Sequence, residues 1–241
     1  MSRKIVAAIS ALEPRHRALI AEAARKNGFE ALFFDSDAAA MPHISDAEIV
    51  FGQSAALAKN APALHWLCTP SAGVNQFLGE GVFASPDAVL TNSSGAYGVT
   101  IAEHVVMVIL EALRRQSEYS AIVSRREWVR NLPVRSIRDS RVALLGTGDI
   151  GQECAIRLRA FGPASLTGVN RGGRNPRELF DRIVPQEQLD SLLPDTDILI
   201  ISLPGTAETL HMLDARRLAL LPDGALIVNV GRGTVIDQPA L

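Results

Sequence analysis

Short apolar runs alternate with longer stretches of helical periodicity along most of the chain. Residues 5–9, 31–34, 49–51, 64–68 and 89–91 read as strands, and 15–27 as a helix stopped by Gly28. The same rhythm returns at 142–145, 166–169, 183–184, 198–203 and 225–230. Alternating β and α units predict an α/β fold of parallel sheets covered by helices, with ligands bound outside the strand ends. Residues 99–115 predict one long helix between the two series. On it Ile101, Val105, Val108, Ile109 and Ala112 share a face that Val106, Met107 and Leu110 widen. A helix so apolar is buried between layers or packs on a second subunit. Two doubly wound parallel-sheet domains follow, 1–97 and 98–241, with the boundary near residues 97–100. A connector, 124–140, carries Arg125, Arg126, Arg130, Arg135 and Arg138. It reads as a solvated loop with some helix. Beyond Trp128 no aromatic platform accompanies the charges, as a nucleic-acid surface would need.

One stretch adds chemistry to this pattern. The run Arg141-Val142-Ala143-Leu144-Leu145 ends in Gly146-Thr147-Gly148-Asp149-Ile150-Gly151, and a helical pattern continues from 152 to 161. Strand, glycine turn and helix in this order suit a pyrophosphate: Gly146 makes the tight turn, Gly148 admits the phosphates to the backbone, and Gly151 lets helix and strand pack closely. The helix start adds free N–H groups and a partial positive charge. Dinucleotide folds place an acid about twenty residues beyond such a turn, on the adenosine ribose. Here Asn170 stands in that place, flanked by Arg171 and Arg174. Arginines pair with a 2′-phosphate that a carboxylate would repel. NADP is therefore expected in preference to NAD. The alternative is that both arginines are solvated loop residues. At a later strand end, Asn229-Val230-Gly231-Arg232-Gly233-Thr234 sets an arginine between two glycines, offering a rigid fork to a carboxylate or carbonyl. The alternative there is an arginine pairing with a carboxylate of the neighbouring domain.

Composition narrows the classes. At 241 residues, 47% apolar and 21% charged, the chain reads as soluble and globular. Its longest apolar stretch, 101–113, is interrupted by Glu103, His104 and Glu111, so no membrane span is expected, and the N-terminal residues show no signal-peptide cleavage site. Two cysteines, Cys68 and Cys154, make neither a disulfide framework nor a metal cluster and point to a reducing cytoplasm. A net charge of −2 argues against a dedicated nucleic-acid binder.

With these motifs in place, the chain resembles the D-isomer-specific 2-hydroxyacid dehydrogenases. The resemblance rests on Ser71-Ala72-Gly73-Val74-Asn75, Thr100-Ile101-Ala102-Glu103-His104, the 146–151 turn, Ser202-Leu203-Pro204, and the segment from Asn229 to Asp237. It implies two Rossmann-like domains with a cleft between them, a homodimer built largely on the nucleotide domain, and hydride transfer between a nicotinamide cofactor and a small 2-oxo or D-2-hydroxy acid. It further implies that Ala72 and Gly73 present backbone N–H groups to the substrate carboxylate, with Tyr97 beside them. Thr100 would start the long helix near the cofactor, and Asp149 and Ile150 would cover the pyrophosphate. Leu203, Pro204 and Thr209 would wall the cofactor, Val230 and Gly231 lie near the nicotinamide, and Arg232 bind and polarise the oxo acid. No metal is implied.

In the family the proton donor is a histidine tuned by a glutamate, both beyond the segment that Arg232 matches. None of His16, His43, His65, His104 or His211 lies in a matching motif, and His65, inside an apolar run, is expected in the core. The second domain is expected to be incomplete, with about 70–90 residues following in the whole protein. Asp237 and the residues after it read as the N-cap and first turn of a helix. A non-catalytic dinucleotide-binding sensor or corepressor-like protein on the same fold is the alternative function.

Overall fold

The structure is a computed structural model that describes residues 3–130 and 132–241; the first two residues of the N-terminal lead and residue 131 of the connector lie outside it. The chain separates into two compact units, 1–96 and 97–241.

The first unit runs β1 (Arg3–Ala8), α1 (Pro14–Lys26), β2 (Phe29–Phe34), α2 (Asp37–Ala40), β3 (Ala47–Gly52), α3 (Ala55–Lys59), β4 (Trp66–Cys68) and β5 (Val89–Thr91). Its strands pair in parallel in the order β2-β1-β3-β4-β5, one of the two common doubly wound orders. Val6, Val50, Leu57, Leu64 and Leu67 form its core with Phe77. His65 does not join them: its side chain is 71% exposed, with Nδ1 3.8 Å from a Glu48 carboxylate oxygen. The expectation of a core histidine is wrong because only the backbone here is inside. The His65 N–H donates to Glu48 O and its carbonyl accepts from Val89 N–H, while the side chain points out between the buried Leu64 and Leu67.

The second unit runs α4 (Gly98–Leu113), α5 (Gln116–Ser124), β6 (Arg141–Leu145), α6 (Asp149–Arg159), β7 (Ser165–Asn170), β8 (Arg182–Pro185), β9 (Ile198–Ile201) and β10 (Leu226–Asn229). Its parallel order, β10-β9-β6-β7-β8, matches five successive strands of the dinucleotide-binding order, with β6 at its centre. Successive strand residues face opposite layers. Val142, Leu144, Ile198 and Ile200 pack with α4 and α6, whereas Ala143, Leu145, Leu199 and Ile201 pack with Leu189, Leu193, Met212 and Leu213. Asp197 anchors the lower edge: its carboxylate accepts from the Arg141 backbone N–H at 2.7 Å and from the guanidinium at 2.8 Å. That guanidinium holds the Asp197 carboxyl below the ordinary carboxylate range.

Two expectations about the long helix change. Its buried stripe is Gly98, Ala102, Val105, Ile109 and Leu113, so the inward face is rotated from the expected one and Ala112 is exposed. Small residues bring α4 close to α6, and the bulkier Val106, Met107 and Leu110 are left on an outer groove with Glu103, Glu111 and Arg114. The helix also ends at Leu113, because Arg115 takes a left-handed conformation (φ 56°) and α5 begins after it. At the far end, residues Gln238–Ala240 form a single 3-10 turn, and Asp237 makes no side-chain cap. Among the described residues no helix is long and apolar enough to cross a membrane.

Candidate functional site

The glycine turn leaves the centre of the second sheet. Gly146 has φ +100°, which side-chain-bearing residues rarely adopt, and its N–H donates to Val169 O at 3.0 Å, pinning the turn to the neighbouring strand. Gly151 is buried in the first turn of α6, against the Gly146 carbonyl, so any Cβ there would collide with backbone. Gly148 is the N-cap of α6 and supplies no side-chain cap. The first-turn N–H groups are therefore left for a ligand. Nothing lies within 4 Å of where a Gly148 Cβ would stand, so the backbone is open on that side.

At the tip of β7, Asn170 donates through Nδ2 to Thr147 Oγ1 at 2.7 Å and to the Arg174 carbonyl at 2.9 Å. Its Oδ1 is buried with no hydrogen-bond partner in the structure. A buried acceptor left orphaned costs about 1–3 kcal/mol, so the position favours an incoming donor such as a ribose hydroxyl. Gly146, Asn170, Arg171, Leu203, Pro204 and Thr209 line one cavity of about 140 Å³. That is below the ~300–1,000 Å³ of pockets that enclose whole small ligands, and suits one end of a longer one. The open turn, the uncapped helix and the orphaned acceptor together fit a dinucleotide.

Gln186, Thr206 and Glu208 line the same cavity and were not singled out from the sequence. They arrive from the ends of β8 and β9; the order of strands sets β8 next to β7 and β9 one strand away across β6. Thr209 is buried, and its hydroxyl donates to Pro204 O at 2.7 Å and accepts from Thr206 N–H at 2.8 Å. It shapes the 204–209 turn as well as lining the cavity. The Thr206 hydroxyl, the local backbone and the charge of Arg171 hold the Glu208 carboxyl below its ordinary range.

Other predicted residues stand outside the cavity. Ile150 and Val230 pack against the core layer of α4 and α6, and Thr100 donates to Tyr97 O at 3.2 Å. The Asp149 carboxylate lies against Gly98 at the start of α4. The Arg174 side chain is exposed, and its carbonyl receives Asn170. No histidine lines the cavity among the described residues, and no cluster of three or more His, Cys, Asp or Glu there could hold a metal.

Arg232 stands on the loop after β10. Asn229 braces that loop from both sides, accepting from Gly231 N–H at 3.0 Å through Oδ1 and donating to Arg232 O at 3.0 Å through Nδ2. The loop is also tied to the segment after Thr209, where His211 N–H donates to Thr234 O at 2.8 Å and Leu213 N–H to Val235 O at 3.0 Å. The Arg232 stem lies over Gly205, with Cγ 3.2 Å from where a Cβ of Gly205 would be. One connected segment therefore lines the cavity and supports the arginine.

In the first unit, Asn92 Nδ2 donates to Ala72 O at 2.7 Å, Ser71 Oγ to Gly73 O at 2.8 Å, and Ser93 N–H to Ser71 O at 3.1 Å. The carbonyls of the 71–73 loop are thus engaged. Its Ala72 and Gly73 N–H groups donate to no acceptor among the described residues. Paired unengaged N–H groups suit a carboxylate.

Parallel sheet, glycine turn and uncapped helix define an α/β dinucleotide-binding protein. Residues 106–241 match the model of the D-isomer specific 2-hydroxyacid dehydrogenase family, NAD binding domain. The chain belongs to this family. It is 29% identical over 209 residues to a glyoxylate/hydroxypyruvate reductase B from Pectobacterium atrosepticum, covering 83% of this chain and 64% of that protein. It is 30% identical over 154 residues to a D-lactate dehydrogenase from Treponema pallidum, covering 63% and 45% respectively. The chain thus matches less than two thirds of the length of either relative. The crystal structure of a D-isomer specific 2-hydroxyacid dehydrogenase family protein from Aeromonas salmonicida superposes with a TM-score of 0.88 at 28% identity, covering 100% of this chain and 76% of that one.

Proposed function

We propose that this chain binds a nicotinamide dinucleotide along the Gly146–Gly151 turn and that the protein interconverts a small 2-oxo acid and its D-2-hydroxy acid. The observation that carries the reading is the uncapped start of α6 behind an open Gly148, with the orphaned Asn170 acceptor one strand away. When bound, the dinucleotide supplies or receives the hydride. The first-turn N–H groups of α6 hold its pyrophosphate, with Asp149 and Ile150 over it and Thr100 at the start of α4 close by. Leu203, Pro204 and Thr209 wall the cofactor, and Val230 and Gly231 approach its nicotinamide end. Asn170, Arg171 and Arg174 take the adenosine end, where two guanidinium groups favour NADP over NAD. Ala72 and Gly73 present N–H groups to the substrate carboxylate, Tyr97 lines that side, and Arg232 binds and polarises the 2-oxo group. Two cysteines without disulfide partners, one of them buried with its thiol pushed up to about 12 by desolvation, fit a reducing cytoplasm.

Fluorescence titration with NADPH and NADH tests the reading. Saturable binding of both is expected, tighter for NADPH by about tenfold, the worth of one charge-assisted pair. Absence of binding by either dinucleotide would sink the proposal, and a clear NADH preference its NADP part.

We also propose a homodimer that uses the outer face of α4. Val106, Met107 and Leu110 lie on an apolar groove, Met107 is 48% exposed, and Trp128 of the following connector is 83% exposed. Met107→Glu is expected to convert a dimer to monomer in sedimentation, with an unchanged circular dichroism spectrum. A wild-type chain that sediments as a monomer at micromolar concentration would remove this reading.

A further inference from the structure

The absence of an acid at position 170 is only half of the cofactor pocket. The loop after β9 carries Glu208, and the cavity that Asn170 and Arg171 line is lined by Glu208 as well. We infer that Glu208 is a cofactor-discriminating residue: from a different strand end it supplies the carboxylate missing after β7, favouring the ribose hydroxyls of NAD and opposing the 2′-phosphate of NADP. The inference rests on the dinucleotide reading above.

Arg171 makes no ion pair within 4.0 Å among the described residues, while Glu208 is close enough to interact with its charge. Both side chains are exposed to the pocket side of the domain and neither is neutralised by direct pairing. A 2′-phosphate brought to Arg171 therefore also meets the Glu208 carboxylate, which is ionised at neutral pH. The attraction and the repulsion come from different strand ends. A ribose 2′-hydroxyl is a donor and gains from the same carboxylate, as it does from the acid that usually follows the second strand. Glu208 thus sets one negative charge against the arginines of the 171–174 segment, and the preference for NADPH is held down to about tenfold. Position 208 thus carries a specificity role that the 170–174 segment alone hides.

The test is the ratio of NADPH to NADH affinity, measured by fluorescence titration in the wild type, Glu208→Gln, Arg171→Met and the double variant. Glu208→Gln is expected to move the ratio about tenfold toward NADPH, mainly by tightening NADPH, and Arg171→Met to move it about tenfold the other way. Both shifts should shrink at high salt, as exposed charges are screened. A Glu208→Gln ratio within about twofold of wild type overturns the inference while leaving the dinucleotide reading intact. Equal weakening of both cofactors also overturns it, since that is what loss of a purely structural bond to the 206–209 turn produces. Failure of the wild type to bind either dinucleotide overturns the underlying reading and this inference with it.

Discussion

Gly151→Ala is expected to abolish dinucleotide binding and to unfold the second unit at a markedly lower temperature, whereas Gly148→Ala costs affinity alone. The two glycines belong to one motif but serve different physics. At Gly151 a Cβ would run into the carbonyl oxygen of Gly146 and stand 3.1 Å from its carbon, both backbone atoms of a turn that cannot give way. Overpacking commonly costs 1–3 kcal/mol, and a backbone neighbour puts this case at about 3 kcal/mol. At about 2–4 °C per kcal/mol for a domain of this size, Tm should fall by about 6–12 °C. At Gly148 the backbone has φ −74° and the space is empty, so alanine fits without strain. The methyl group then occupies the side from which phosphates approach, and dinucleotide affinity should fall about tenfold or more at an unchanged Tm. Calorimetry and cofactor titration on the two variants separate the roles. A Gly151→Ala protein that melts like wild type would contradict the packing, and a Gly148→Ala protein that binds like wild type would contradict the placement of the pyrophosphate.

The β/α rhythm was legible because parallel strands, covered on both faces, read as unbroken apolar runs. Every residue of β9 is buried, and it stands out in the sequence for that reason. The limits of such runs are less visible: Leu203 and Val230 carry the apolar pattern past the ends of β9 and β10 into loops that build the cavity and carry Arg232. Helix α4 shows a second limit. Its inward face is set by Gly98 and Ala102, where small size permits close approach to α6, and a reading by hydrophobicity rewards the larger Ile101 and Val108 instead. His65 shows a third, since a residue can donate its backbone to a ladder and keep its side chain in water. At the candidate site, features made by adjacent residues, such as the glycine turn and the 71–73 loop, announce themselves locally. The cavity's far wall does not. Glu208 and Gln186 meet Arg171 only because β7, β8 and β9 end on one side of the sheet, a consequence of strand order that no local spacing encodes. Asn229 was likewise visible as part of a motif, but its two bonds across the Arg232 loop were not.

Those bonds bear on the second large effect. Arg232→Ala is expected to leave dinucleotide affinity unchanged and to weaken oxamate, a non-reducible 2-oxo acid mimic, by about 100-fold or more in the dinucleotide complex. Charge-assisted bonds to one ion are worth about 1.5–3 kcal/mol, and a forked pair roughly doubles that stake. Arg232→Lys keeps the charge but replaces the planar fork with a point charge, so an intermediate loss of about tenfold is expected. Asn229→Ala removes the brace that accepts from Gly231 N–H and donates to Arg232 O, leaving the guanidinium present but its loop free to wander. Its oxamate affinity should fall between those of the lysine variant and wild type, with a smaller loss in NADPH binding because Gly231 of the same loop approaches the nicotinamide end. Titrating oxamate against protein saturated with NADPH orders the three variants. If Arg232→Ala binds oxamate as wild type does, the arginine is not the substrate anchor. If Asn229→Ala loses as much as Arg232→Ala, the loop's conformation, rather than the reach of the guanidinium, is what the substrate reads.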